Sequence, residues 1–83
     1  MPSHVPPDPA LAAVLRLLRQ EREESQEDVA FGADIATGTV SRVERVKLDP
    51  AWTTVRSLAK ALDMSLEELG AAVEREETSE GVA

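Results

Sequence analysis

Thr37, Gly38, Thr39, Ser41, Arg42 and Arg45 fall within one short stretch of the chain and, at helical spacing, share a side. Hydroxyls donate and accept hydrogen bonds, a glycine lets another surface come close to the backbone, and a guanidinium fork serves two acceptors at once. Small polar groups and arginines along one exposed helix suit the base edges and phosphates of a DNA major groove. The same arginines would otherwise be solvated surface groups, so their worth depends on the elements that carry them.

Those elements can be read from Ser25 to Glu44. The spacing predicts two short amphipathic helices joined by a tight turn. The first runs from Gln26 to about Gly32 and buries Val29 and Ala30. The second runs from about Thr37 to Arg45 and buries Val40 and Val43, with Ile35 filling the corner. Ser25 caps the first of these, and Asp28 three residues on approximates the reciprocal cap. Upstream, Asp8-Pro9 supplies a cap followed by a proline where its missing N–H is harmless. Leu11, Val14, Leu15 and Leu18 then form the buried stripe of a helix running toward Glu23, with Leu17 off that stripe. Downstream of a loop at 46–51, Trp52, Val55, Leu58, Ala59 and Leu62 mark a fourth helix, with Trp52 expected in the core. Ser65 and Glu68 form a second capping box for a fifth, striped by Leu66, Leu69 and Val73. The expectation is an all-α domain of five helices over 10–73, between a proline-rich arm at 1–9 and an acidic tail at 74–83 that frays.

Eighty-three residues allow one domain. A chain of this size buries only roughly 60% of its unfolded surface, so its core must be economical unless it oligomerises. The absence of cysteine rules out disulfides and thiolate metal sites and fits a reducing cytoplasm. No apolar run is long enough to span a membrane, and no basic-then-apolar secretion pattern opens the sequence. The net charge of −7 argues against a nucleic-acid partner until its distribution is considered. From Ala10 to Lys60 eight cations balance eight carboxylates, while Asp63 onward holds seven carboxylates against Arg75. Arg42, Arg45 and Lys47 therefore form a local cluster able to meet phosphates, although the global field would slow encounter. Catalysis has little to work with. There is no phosphate-binding glycine loop, the single histidine, His4, stands in the arm, and no spacing suits a metal. Neither an enzyme nor a cofactor is expected.

The order of LRLLRQER (Leu15 to Arg22), SQEDVA (Ser25 to Ala30), TGTVSRVER (Thr37 to Arg45) and LDPAWTTVRSLAKALDMSLEEL (Leu48 to Leu69) resembles the lambda-repressor-like, Cro-type helix-turn-helix regulators. The resemblance implies a compact five-helix DNA-binding domain with its motif at about 25–45. It places Thr37, Gly38 and Arg42 where relatives touch base edges. It places Gln26, Thr39, Ser41, Arg45 and Lys47 where they meet the sugar-phosphate backbone, and pairs Arg19 with Glu44 in a structural salt bridge. Asp34 stands where the family's turn has glycine, so it must accept a left-handed backbone or the turn must differ. Ala36 replaces a serine-like cap, a job expected of Thr37 or Asp34. Glu23 and Glu24 add negative charge near the expected backbone contact.

The function implied is a non-enzymatic, cytoplasmic transcriptional regulator that binds double-stranded operator DNA as a homodimer, pairing through Leu66, Leu69 and Val73. The alternatives are an antitoxin-like module whose acidic C-terminus holds a basic protein partner, a restriction-modification controller, and a domain that has lost DNA binding.

Overall fold

Local chemistry sets where three of the five helices begin. The computed structural model describes residues 8–81, and the helices are α1 (Pro9–Glu21), α2 (Gln26–Ala33), α3 (Thr37–Glu44), α4 (Trp52–Ala61) and α5 (Leu66–Gly81). The Asp8 carboxylate accepts from the N–H groups of Ala10 and Leu11 at 3.0 and 3.2 Å, satisfying donors that the first turn leaves without partners. Ser25 and Asp28 close a full capping box on α2: the Asp28 N–H donates to the hydroxyl at 3.0 Å and the Ser25 N–H to the carboxylate at 2.9 Å. Ser65 and Glu68 repeat it before α5 at 3.0 and 2.9 Å. The arm's residues 1–7, with His4, lie outside the described residues, as do 82–83.

The helix ends share a less expected device. After α1, α2, α3 and α4 the backbone turns left-handed at Glu23, Asp34, Val46 and Asp63, with φ between 57° and 59°. In each case the next residue's N–H reaches back across the turn: Glu24 to the Arg19 carbonyl, Ile35 to Ala30, Lys47 to Arg42 and Met64 to Ala59, at 2.8 to 3.1 Å. This is the Schellman closure, and glycine is its usual occupant because a Cβ crowds the neighbouring carbonyl. None of these four positions is glycine. Val46, branched at Cβ, is the most strained of them. Asp34 takes the left-handed conformation that its replacement of glycine demanded.

The packing joins α2 with α3 and α4, α1 with α3 and α5, and α4 with α5. Val14 and Leu15 of α1, Val29, Ala30 and Ala33 of α2, Val40 and Val43 of α3, Leu58, Ala59 and Leu62 of α4, and Leu69 of α5 meet in one core. Gly32 lies where α2 comes close to α4: a Cβ there would stand 3.3 Å from the Ala61 methyl, which would have to shift by a few tenths of an ångström. Burying each Val or Leu of this core contributes about 1.5–3 kcal/mol, which is how a core of modest side chains supports five helices.

Two expectations are corrected. The segment expected to fray from Glu74 continues α5 as helix to Gly81. Straight-chain Glu and Arg side chains are good helix formers, and Ala72, Arg75 and Glu76 flank Val14, Leu17 and Leu18 of α1. Trp52, expected in the core, is 63% exposed. It sits at the first position of α4, ahead of the turn where the helix reaches the core.

Candidate nucleic-acid interface

The reading face stands on a buried ion pair. Glu44, the last residue of α3, is one of the least exposed side chains of the molecule and the sole buried charge among the described residues. The Arg19 guanidinium of α1 grips it with two parallel bonds, Nε to Oε2 at 2.7 Å and Nη2 to Oε1 at 3.0 Å. A third Arg19 bond, from Nη1 to the Glu24 carbonyl at 2.9 Å, ties in the segment before α2. The Gln26 side-chain amide donates to the same Oε1 at 3.0 Å, so α1, α2 and α3 converge on one carboxylate. Burial pushes the Glu44 carboxyl up. The hydrogen bonds from Arg19 and Gln26, with the positive charges of Arg19 and Arg16, outweigh that and hold it below the usual range. The partner moves in the matching sense: hydrogen bonding to Glu44 raises Arg19 further. A buried, bidentate, fully satisfied pair of this kind fixes orientation more than it adds stability.

With Val40, Val43 and Glu44 turned inward, the rest of α3 is presented outward. Thr37, Gly38 and Arg42 are exposed, Thr39 and Ser41 are half-buried, and Arg45 and Lys47 are exposed just beyond the helix. Gly38, Arg42 and Arg45, spaced by four and then three residues, lie along one line of the surface. At eight residues the helix is about 12 Å long, comparable with the width of a major groove. Arg42, Arg45 and Lys47 take part in no ion pair among the described residues. The start of α3 is also open. Ala36 makes no side-chain capping bond, and the expectation that Thr37 or Asp34 would supply one is not met. The positive end of that helix dipole is therefore uncompensated by the protein.

Several of the expectations are qualified in detail. The α3 helix ends at Glu44, and Arg45 is its C-terminal cap rather than its last turn. The Gln26 amide is engaged inside the molecule with Glu44, so a phosphate contact from this residue would use its second amide hydrogen or its backbone N–H. Glu24, a source of unwelcome negative charge, faces Arg22 across an exposed pair with Nε–Oε1 of 3.3 Å. Of the three residues assigned to a dimer contact, Leu66 is at the surface and Val73 half-buried. Leu69, by contrast, is 3% exposed and belongs to the core, so it is closed to a second chain. Phe31, which drew no comment from the sequence, is 90% exposed. Its position was legible: Val29, Ala30 and Ala33 define the buried arc of α2, and Phe31, one helical step beyond Ala30 and on the far side from Ala33, faces away from it.

Among the described residues no group of three histidine, cysteine or acidic side chains could hold a metal ion, and no helix is long and apolar enough to cross a membrane. Two helices at a tight turn, the second with a braced inner face and a free cationic outer face, define a helix-turn-helix DNA-reading module. Residues 10–72 match the family model described as a helix-turn-helix domain, and the chain belongs to that family, in its Cro/lambda-repressor-like branch of transcriptional regulators. No curated protein matches the chain. Among solved structures it is similar to the restriction-modification controller protein C.AhdI from Aeromonas hydrophila, at 33% identity and a TM-score of 0.70 over 74% of this chain and 92% of that one. It is also similar to wild-type controller C.Esp1396I, at 20% identity and a TM-score of 0.78 over 82% of this chain and 87% of that one. The C.Esp1396I tetramer in complex with its natural 35 base-pair operator gives a TM-score of 0.79 at 20% identity, over 82% of this chain and 90% of that one.

Proposed function

We propose that this regulator binds operator DNA as a homodimer, with α3 of each copy in the major groove of one half-site. Thr37, Gly38 and Arg42 meet base edges, Arg42 pairing with a guanine, and Gln26, Thr39, Ser41, Arg45 and Lys47 meet the backbone on either side. The single observation that carries this reading is the division of α3: an inner face fixed to α1 and α2 through Glu44, and an outer face whose cations have no ion-pair partner among the described residues. One such module reads only a few base pairs, so two-fold pairing on a palindrome is the ordinary route to specificity, with half-sites about one helical turn apart. The protein acts without catalysis, in the cytoplasm. The likeness to C.AhdI favours a controller of a restriction-modification system over an antitoxin.

A rival reading, in which the acidic end of α5 holds a basic protein partner, draws on the exposure of Glu74 and Glu77. It leaves the free cations of α3 without a role, and the operator reading is preferred for that reason.

The test is selection of bound sequences from random duplex DNA at a fixed salt concentration, followed by titration of variants on the selected site. Arg42→Ala is expected to cost about 1–3 kcal/mol of binding and to relax preference at one base pair. Lys47→Ala is expected to weaken binding evenly across sequences and to lower the salt slope by about 1. Unchanged affinity in both variants removes α3 from the interface.

A further inference from the structure

Two arginines at the C-terminal end of α1 each face a carboxylate through two bonds. Arg19 and Glu44 meet at 2.7 and 3.0 Å, with side chains 15% and 4% exposed. Arg22 and Glu24 meet at 3.3 and 3.4 Å, with side chains 41% and 29% exposed. The chemistry is the same and the hold is not. Bonds between ionised groups close to about 2.7–2.9 Å when they are tight, so the second pair is loose and open to competing ions. Its geometry follows from the chain reversal after α1. Arg22 is the C-terminal cap, Glu23 turns left-handed at φ 57°, and the Glu24 N–H reaches back to the Arg19 carbonyl at 3.1 Å. That reversal lays the Glu24 side chain beside Arg22.

The loose pair stands at the edge of the proposed DNA interface. The Glu24 carbonyl accepts from Arg19 Nη1 at 2.9 Å, Arg19 holds Glu44, and Glu44 accepts from the Gln26 amide at 3.0 Å. A continuous set of contacts therefore joins Arg22 to Gln26, the residue proposed to meet a phosphate at the start of α2. Charge in this segment is one-sided. Between Gln20 and Asp28 the chain carries Glu21, Glu23, Glu24, Glu27 and Asp28, against Arg22 as the one cation. A phosphate brought to the start of α2 is repelled by these carboxylates, and Arg22 is the one group of the segment with charge to offset them.

We infer that Arg22 is a further phosphate-contacting residue and that Glu24 competes with the DNA backbone for it, so that operator binding exchanges one partner of Arg22 for another. The inference rests on the operator reading above and adds to it both a contact and a restraint. Glu44 and Glu24 then have opposite assignments: the first keeps its arginine in place, and the second gives its arginine up. An exposed pair adds little to stability, so the exchange leaves the fold unchanged. It does set affinity, because a phosphate reaches Arg22 only by displacing a carboxylate that is already there.

A double-mutant cycle on the full-length chain tests this, read as dissociation constants for the selected operator at one low salt concentration. Glu24→Gln removes the competing charge at nearly constant size and should tighten binding about threefold or more. Arg22→Ala should weaken binding by less than about threefold in the wild type and by about tenfold or more in the Glu24→Gln background, where the guanidinium is fully available. Glu23 takes part in no ion pair among the described residues, so Glu23→Gln removes the same charge next door without releasing an arginine. In that background Arg22→Ala should act as it does in the wild type. Urea midpoints of all these variants should match the wild type. An additive cycle between Arg22 and Glu24, or the same coupling with Glu23, overturns this inference and leaves the operator reading in place. So does a lowered urea midpoint in Glu24→Gln, which would make the pair a support of the fold. Wild-type protein that binds no duplex even at low salt overturns the operator reading itself, and this inference with it.

Discussion

The outer face of α3 and the groove between α4 and α5 are both surfaces the fold leaves open, and they are built on opposite principles. The first is polar and cationic, and its geometry is imposed from below by a carboxylate that three helices share. The second is apolar, and its residues continue the core outward without a break: Leu69 is buried, Val73 half-buried, Leu66 at the rim. A face that must present hydrogen-bonding groups to a rigid duplex needs its orientation fixed in advance. A face that meets another apolar surface needs shape and area, and its partner supplies the rest of the packing.

The difference can be broken most severely at Arg19. Arg19→Ala leaves the Glu44 carboxylate buried without its cation, and is expected to cost about 3 kcal/mol of stability in urea unfolding. The pH dependence should separate the two proteins. In the wild type the Glu44 carboxyl titrates below its ordinary value, so the stability it contributes is present above the unfolded glutamate value of about 4.3 and is lost as the pH falls through the folded value. Asp28, held down by the Ser25 backbone N–H, then its hydroxyl, moves in the same direction. In Arg19→Ala burial acts on Glu44 with its main opponent gone, its carboxyl rises, and mild acidification should recover part of the lost stability. An acid profile parallel to that of the wild type would show that the ion pair does not govern this site.

Smaller effects sharpen the contrast. Val46→Gly relieves a β-branched residue of its left-handed backbone and should stabilise by about 1 kcal/mol, read as a raised urea midpoint at unchanged slope. Because Val46 closes α3 ahead of Lys47 without touching the reading line, affinity for the operator should stay within twofold. Gly38→Ala is expected to raise stability by roughly 0.5–1 kcal/mol and to lower operator affinity, opposite signs in one variant. Equal affinity there would mean that DNA does not approach the backbone at Gly38.

The helix starts were legible because capping is a local matter: Asp8, Ser25 and Ser65 act on N–H groups two or three residues away, so the pattern in the chain is the interaction itself. The inward and outward faces of α3 were equally plain, since Val40 and Val43 stand at core spacing among polar neighbours. Apart from the turn at Asp34, the helix ends gave no such signal, because Glu23, Val46 and Asp63 hold a left-handed backbone that glycine usually takes. Trp52 misled for a related reason. An apolar residue at helical spacing looks the same whether it meets the core or another molecule, and only the position of α4's first turn decides between them. The double duty of Gln26, a surface residue by type that donates to a carboxylate 18 positions away, was hidden likewise.

What the amino-acid order determined alone, then, is governed by contacts within a turn or two: five helices, the capped starts of α1, α2 and α5, and a polar stripe on the third. Tertiary structure decided which apolar residues are spent on the core and which remain at the surface. It also decided that Glu44 becomes the point where α1, α2 and α3 are fastened together. Those outcomes depend on how far apart helices stand after packing, a distance set jointly by side chains from several elements and written in no single one of them.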